Sequence, residues 1–213
     1  MLVIGGTGFI GHHLLKTAKN KCWQTTSVSL NSPTEERFVD GVRYLHFDMT
    51  DCDLVKKYLD EDFDYVVNLG GYVDHSDKKK TFKSHYEGCK NLAEIFLKKK
   101  PTAFIQMGTS VEYGKIKSPQ KENAKCSPKS IKSIYGKAKL LSSIYLINLF
   151  KKNKFPSTIL RLYLTYGPRQ DINRLIPIII EGCVKNKKFD CSEGNQFRDF
   201  VHVDDVVDAI LKS

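Results

Sequence analysis

The sequence predicts an α/β fold in which helices cover both faces of one parallel β-sheet. Short runs rich in β-branched and aromatic residues alternate with longer runs of helical character, which is typical of consecutive βαβ units. A glycine-rich turn, GGTGFIG, follows the first β-rich run and precedes the first helical one. Because crossovers between parallel strands are right-handed, the helices are expected on both faces of the sheet. This arrangement is the doubly wound, Rossmann-type fold.

The predicted elements follow one another in a regular order. Strands are expected at residues 2–5, 25–30, 43–47, 64–69, 103–108 and 157–163. Helices are expected at residues 10–20, 51–60, 81–99 and 135–152. Segment 114–133 is polar and contains Pro119 and Pro128, so we expect a surface loop that leads to Tyr135.

Composition limits the classes of function. The net charge is +10, with lysine runs at 78–80 and 98–100, but the lysines are not interleaved with aromatic residues. We therefore predict a solvated basic surface that favours anionic small molecules, and no nucleic-acid partner. The 6 cysteines have no CxxC spacing and no histidines at ligand spacing, which predicts reduced thiols and no metal site. No apolar run approaches the ~20 residues of a membrane span, and the N-terminus lacks a signal-peptide pattern, so we predict a cytoplasmic protein without a membrane partner.

The glycine turn is the first candidate site. Gly5, Gly8 and Gly11 have the spacing GxxGxxG, which permits a tight turn and lets a pyrophosphate approach amide groups at a helix N-terminus. Phe9 and Ile10 belong to the same turn and are predicted to contact the cofactor. A structural turn is the alternative, but the position between a strand and a helix favours a dinucleotide site.

The residues after the second and third strands concern the choice of dinucleotide. A carboxylate at the end of the second strand normally binds the adenosine ribose of NAD, but Ser29 and Asn31 stand in that region here. Without that negative charge a 2′-phosphate is not repelled, so NADP is predicted as well as NAD. After the third strand, Asp48 can reach the adenine amino group and Met49 its face; alternatively, Asp48 is a helix N-cap.

Tyr135 and Lys139 form the candidate catalytic pair. Residues i and i+4 lie on one face of a helix, so the ammonium group of Lys139 can lie beside the Tyr135 ring. A positive charge there lowers the pKa of the tyrosine and makes it a general acid. An ordinary surface pair is the alternative, because this spacing is common by chance.

Seven motifs in fixed order give the chain a family resemblance: GGTGFIG, FDMTD, NLGG, SVEYG, YGKAK, RLYLTYGPRQ and RDFVHVDD. With them the chain resembles the extended short-chain dehydrogenases/reductases that act on nucleotide sugars. The resemblance implies that Tyr135 is the acid/base, and that Lys139 lowers its pKa and holds the nicotinamide ribose. It also implies a catalytic hydroxyl at Thr109, with Ser110 as the neighbouring alternative. A strand-end capping hydroxyl is a further alternative for both.

The same resemblance assigns the remaining contacts. Leu69, Gly70 and Gly71 in NLGG match cofactor-binding positions. Arg198 matches the arginine that pairs with the substrate diphosphate, for which its planar guanidinium is suited, and Asn173 matches a contact on the nucleotide side.

The implied chemistry is hydride transfer between a nicotinamide and C4 of a nucleotide-linked sugar. Members that dehydrate their sugar place an Asp-Glu pair after the catalytic threonine, whereas this chain has Ser110 and Val111. The 4-epimerases commonly have an asparagine where this chain has Leu164. We therefore expect a reductase of nucleotide-linked 4-keto-6-deoxyhexoses in polysaccharide biosynthesis, with a 4-epimerase as the alternative. A non-catalytic dinucleotide-binding regulator or scaffold is the alternative from another class.

The resemblance also predicts domain organisation and assembly. Residues 1–170 are expected to form the NAD(P)-binding domain with the catalytic residues, and residues 171–213 part of a substrate-binding lobe. Family members continue beyond the position of Ser213, so we expect this small C-terminal lobe to be incomplete. A homodimer is predicted through helices 81–99 and 135–152, because the second of these is more apolar than one core-facing stripe requires.

Overall fold

The computed structural model describes residues 1–213, with a six-stranded parallel sheet at its centre. Its strands are β1 Leu2–Ile4, β2 Thr26–Ser29, β3 Arg43–His46, β4 Tyr65–Asn68, β5 Ala103–Thr109 and β6 Ser157–Leu162. The strand order is β3-β2-β1-β4-β5-β6, with every pairing parallel. The order reverses between β1 and β4, which creates the crevice where ligands bind in such sheets. The predicted doubly wound, Rossmann-type sheet is confirmed.

Seven α-helices surround the strands. They are α1 Phe9–Asn20, α2 Cys52–Tyr58, α3 Lys78–Phe82, α4 Gly88–Lys99, α5 Ile134–Asn153, α6 Leu175–Val184 and α7 Val203–Lys212. The single helix predicted at residues 81–99 is wrong in detail. It begins earlier, because the Asp77 carboxylate accepts a hydrogen bond from Lys80 N at 2.9 Å, and a π-helical turn, Lys83–Glu87, separates α3 from α4. Helix α6 was not predicted from the sequence.

Two hydrophobic cores lie on opposite faces of the sheet. Side chains alternate along each strand, so Leu2 and Ile4 enter one core while Val3 enters the other. The first core packs against α2, α4 and α5, for example through Phe96. The second packs against α1 and α7, for example through Val207. This two-sided burial explains why the central strands are almost continuously apolar.

A second, two-stranded parallel sheet follows the first. It pairs β7 Leu164–Tyr166 with β8 Phe200–His202. The strand expected at 157–163 therefore ends one residue earlier, and both short strands were missed. They lie on opposite sides of the domain boundary predicted at residue 170.

The loop at 114–133 contains one short 3₁₀ turn, Pro128–Ser130. It ends where the Ser133 hydroxyl caps α5 by accepting a hydrogen bond from Gly136 N at 3.1 Å. This cap fixes the first turn of the helix that carries Tyr135 and Lys139. No helix of the chain combines the length and apolarity required to span a bilayer.

Candidate active site

A cleft of about 580 Å³ opens at the carboxyl ends of β1, β4, β5 and β6. It therefore lies at the point where the strand order reverses. Its volume is within the range of small-molecule sites, about 300–1,000 Å³. The glycine turn lines one part of the cleft, and Thr109, Ser110, Tyr135 and Lys139 line another. The structure thus brings the predicted cofactor turn and the predicted catalytic residues to one site.

The glycine turn requires its glycines for close backbone packing. Gly5 has a φ of +79°, and a Cβ there would lie 3.1 Å from Gly70 N. A Cβ on Gly11 would lie only 2.3 Å from the carbonyl oxygen of Gly5. Helix α1 begins at Phe9 with Gly8 as its N-cap, and no side chain caps its first-turn amides. Those amides are available to an anion at the mouth of the cleft.

These features fit a dinucleotide. Free helix N-terminal amides suit a pyrophosphate, and the absence of a side chain at Gly8 leaves the approach to them open. Phe9, Ile10, Gly11, Leu69 and Gly71 line the cleft as the sequence predicted. Gly70 does not line the cleft but is buried, and a Cβ there would lie 2.7 Å from Met49 Sδ.

The residues that were predicted to contact the adenosine do not line the cleft. Asn31 is exposed and Met49 is buried in the core, and neither they nor Asp48 line the cleft. The alternative that Asp48 caps α2 is wrong, because Asp51 does so by accepting from Asp53 N and Leu54 N. Asp48 instead accepts from Thr50 N at 2.8 Å and closes the preceding turn.

The end of β2 is connected to the glycine turn by a side chain. Ser29 Oγ accepts a hydrogen bond from Thr7 N at 3.3 Å. A neutral hydroxyl therefore occupies the strand end where NAD-specific proteins carry a carboxylate.

Lys139 is buried, and its ammonium group is hydrogen-bonded to the backbone of β5. Its Nζ donates a 2.7 Å hydrogen bond to the carbonyl oxygen of Met107, and burial lowers the pKa of Lys139 to about 8. Burial also raises the pKa of Tyr135, while the nearby Thr109 side chain lowers it. The expectation that Lys139 lowers the pKa of Tyr135 is therefore not met in this state, because desolvation of the phenol dominates.

Two histidines that the sequence did not single out enclose Tyr135. The ring of His75, in the loop after β4, stacks on it with centroids 4.2 Å apart and planes at 18°. The ring of His85 meets it edge-on, with centroids 5.0 Å apart and planes at 76°. No sequence signal marks either histidine, since each reaches the site through tertiary packing.

His85 is buried in the π-helical turn between α3 and α4. Its Nε2 lies 3.2 Å from the carbonyl oxygen of Tyr72, and its Nδ1 has no partner. Gly71 is required opposite, because a Cβ there would lie 1.9 Å from the imidazole. Burial, with the charge of Lys139 adding to it, lowers the pKa of His85 to about 3, so the ring is neutral at physiological pH.

The predicted substrate contacts do not line the cleft. Arg198 and Asn173 are both exposed, and the Arg198 guanidinium contacts only its sequence neighbours Gln196 and Phe197. Arg174, adjacent to Asn173, lines the cleft instead. Its charge adds to burial in lowering the pKa of His75.

A cationic cluster borders the cleft beside α1. Arg37 Nη2 donates to the Asp171 carboxylate at 2.6 Å and to the carbonyl oxygen of Arg169 at 2.7 Å. The Arg169 guanidinium in turn lies 2.9 Å from Nε2 of His12. Because burial lowers the pKa of His12, its neutral ring can accept this hydrogen bond. The cluster ties the loop after β7 to the first turn of α1.

The strand order, the glycine turn and the Tyr135–Lys139 pair at the switch point define an extended short-chain dehydrogenase/reductase. The sequence profile of the NAD dependent epimerase/dehydratase family matches residues 1–213, so the chain belongs to that family.

Known relatives cover almost the whole chain. It is 28% identical to the ADP-L-glycero-D-manno-heptose-6-epimerase of Brachyspira hyodysenteriae, over 97% of this chain and 69% of that protein. It is 27% identical to the dTDP-D-glucose 4,6-dehydratase of Homo sapiens, over 99% of this chain and 64% of that protein. The crystal structure of the UDP-glucose 4-epimerase of Thermotoga maritima with UDP-glucose superposes with a TM-score of 0.85 at 27% identity, over 99% of this chain and 71% of that one.

The chain spans only part of these proteins. Its matches cover from 54% to 72% of the length of the curated relatives.

Proposed function

We propose that the chain is the catalytic domain of an NAD(P)-dependent oxidoreductase that acts at C4 of a nucleotide-activated sugar. The proposed reaction is reduction of a nucleotide-linked 4-keto-6-deoxyhexose, in deoxysugar and polysaccharide biosynthesis. One observation carries the proposal: Thr109, Ser110, Tyr135 and Lys139 line the same cleft as the glycine turn.

The protonation states of this site suit the donation of a proton. Because the pKa of Tyr135 is raised, the phenol holds its proton at neutral pH and can donate it to a carbonyl oxygen. Thr109 Oγ1 accepts a long, 3.4 Å bond from Val111 N, and the Thr109 side chain lies beside the Tyr135 hydroxyl, so both hydroxyls can donate to the same oxygen. Lys139, with a pKa of about 8, is mostly charged at neutral pH.

The nicotinamide cofactor supplies the hydride when it is bound. The first-turn amides of α1 would hold its pyrophosphate, and Lys139 would hold the nicotinamide ribose. Ser29 at the end of β2 and Arg37 beside the cleft favour NADP over NAD, since neither repels a 2′-phosphate.

The other wall of the cleft supports the proposed substrate class. Val73, Val111 and Leu164 are exposed apolar side chains that line it, and such a surface suits the methyl group of a 6-deoxyhexose. Arg174 has no acidic partner within salt-bridge distance, so its guanidinium is available to a diphosphate.

A 4-epimerase is the second candidate, and the likeness to the Thermotoga maritima enzyme favours it. Leu164 argues against it, because this side chain lines the cleft without a hydrogen-bonding group. A regulator or scaffold that binds a dinucleotide without turnover is the third.

We further propose that the chain forms a homodimer through α4 and α5. Ile147 and Phe150 of α5 are exposed apolar side chains, and exposed apolar area on a helix favours association.

The deciding experiment follows oxidation of NADPH, and separately of NADH, with a panel of nucleotide-linked 4-keto-6-deoxyhexoses. We expect stoichiometric oxidation with one sugar, and a loss of about 10²- to 10⁴-fold in Tyr135→Phe with cofactor binding retained. Tyr58→Phe, remote and exposed, is the matched control. If no sugar is reduced, the proposed reductase activity is excluded and 4-epimerisation is assayed next. If Tyr135→Phe keeps the full biological activity of the protein, the result supports a non-catalytic regulator or scaffold.

A further inference from the structure

The carboxylate of Glu112 is completely buried directly behind the catalytic hydroxyl. It follows β5 in a short 3₁₀ turn, Ser110–Tyr113. Its Oε1 accepts from Thr109 N at 2.9 Å, and its Oε2 accepts from Ser143 Oγ at 2.8 Å and from Arg161 Nε at 2.9 Å. A Cβ on Gly108 would lie 2.5 Å from Oε1, so the strand end leaves room for this carboxylate.

Ser143 belongs to the helix face that carries the catalytic pair. Tyr135, Lys139 and Ser143 are spaced by four residues along α5 and therefore lie on one face. Glu112 thus joins three elements at one point: the end of β5 with Thr109, the catalytic face of α5, and β6 with Arg161. The distance between the Thr109 hydroxyl and the Tyr135 ring depends on this junction.

The carboxylate also contributes a negative charge to the site. The charged and titratable groups around Tyr135 and Glu112 are His75 from the β4 loop, His85 from the π-helical turn, Lys139 from α5, Glu112 from the 3₁₀ turn, and Arg161 from β6, which pairs with Glu112. Among them only Glu112 is an acid. Burial and, to a smaller extent, the Glu112 charge raise the pKa of Tyr135, and the same charge opposes the lowering of the pKa of Lys139.

We propose that Glu112 is a positioning residue that fixes Thr109 against the face of α5 that carries Tyr135 and Lys139. The effect on turnover rests on the proposed function, whereas the placement of the Thr109 hydroxyl beside Tyr135 does not.

Two substitutions separate position from charge. Glu112→Gln keeps the shape of the side chain and removes its charge, and Glu112→Asp keeps the charge but shortens the reach by one methylene. The titration of Tyr135 is followed by NMR of protein labelled with ¹³C at the tyrosine ζ carbon, with the resonance assigned by its absence in Tyr135→Phe. This measurement needs neither substrate nor cofactor.

We expect Glu112→Asp to raise the titration midpoint of Tyr135, because the Thr109 hydroxyl that lowers it moves away, and Glu112→Gln, which keeps the reach of the side chain, not to raise it. In the turnover assay, Glu112→Asp is expected to lower kcat about 10- to 100-fold with little change in KM, because Thr109 is displaced.

An unchanged midpoint or wild-type kcat in folded Glu112→Asp overturns the proposal. Circular dichroism melting establishes that each variant folds. If Glu112→Asp does not fold, Ser143→Ala, which removes one contact of the carboxylate, tests the same point: it must raise the midpoint and lower kcat. If the wild-type chain reduces no sugar, the proposed function fails, while the titration still decides whether Glu112 places Thr109 beside Tyr135.

Discussion

His75 and Tyr135 stack with ring centroids 4.2 Å apart, and the imidazole lies against one face of the phenol ring. The stack contributes to the burial that raises the pKa of Tyr135. His75 comes from the loop after β4 and Tyr135 from the first turn of α5, so the contact joins the two walls of the cleft.

Removing the stack should change the acidity of Tyr135. In His75→Ala the phenol becomes more exposed, so its pKa falls toward the ordinary value and the basic limb of the pH–rate profile moves to lower pH. His75→Phe keeps an aromatic cover and should retain the wild-type limb. Equal shifts in both variants would show that the imidazole acts by something other than covering the ring.

His85 should make the fold sensitive to acid. Its pKa is about 3 in the folded chain and near 6.5 when unfolded, so between these values only the unfolded chain binds the proton. Stability therefore falls as the pH drops from 6.5 toward 3, by about 2 kcal/mol between pH 6.5 and pH 5.

Urea unfolding at a series of pH values tests this effect. His85→Gln should flatten the dependence between pH 6.5 and 5, while His46→Gln, at an exposed position, should leave it as in the wild type. If the free energy of unfolding of His85→Gln depended on pH as in the wild type, His85 would not be the source of the acid sensitivity.

The glycine turn should discriminate sharply between two of its glycines. A Cβ on Gly11 would meet backbone atoms of Gly5 and Gly6 at 2.3 and 2.6 Å, which only a deformed turn can relieve. On Gly8 it would meet only Gly5 O at 3.2 Å. We expect Gly11→Ala to melt at a markedly lower temperature and to lose dinucleotide binding, measured by NADPH fluorescence. Gly8→Ala should melt near the wild-type temperature. If both variants melted at an equally lowered temperature, the close packing of Gly11 would not be what the turn requires.

The two arginines near the substrate region should differ in their effect on KM. Arg174 lines the cleft and Arg198 does not, so Arg174→Gln should raise KM for the nucleotide sugar about 10-fold or more, and Arg198→Gln should have little effect. Steady-state kinetics with the sugar identified by the panel measures both. If Arg198→Gln raised KM more than Arg174→Gln did, the result would support the substrate contact that the sequence motif predicted for Arg198.

The fold was predictable because its signals are local. Periodicity gave the six strands of the main sheet, and the turn at Gly5, Gly8 and Gly11 marked the switch point. That Thr109, Ser110, Tyr135 and Lys139 share one cleft was predictable, because motif order fixes their positions relative to strands and helices. The Glu112 contact also had a signal that went unused: Thr109 and Glu112 form the T-x-x-E pattern of a capping box.

Other parts of the site depend on tertiary contacts that have no local signature. His75 and His85 lie 60 and 50 residues before Tyr135, and only the packing of the β4 loop and the π-helical turn brings them to its ring. Arg198 follows a segment without regular structure, where sequence spacing does not predict the direction of a side chain. The acidity of Tyr135 depends on burial, which a helical i to i+4 spacing does not report.

The β7–β8 pair is parallel, so residues 167–199, which include α6, form a crossover that leaves one end of the small sheet and re-enters at the other. Arg37 holds the beginning of this crossover through Arg169 and Asp171, and Arg174 lines the cleft. Changes of length are therefore tolerated best in residues 185–199, beyond α6, where the chain has no regular structure and each doubling of loop length costs only about 0.6 kcal/mol of closure entropy.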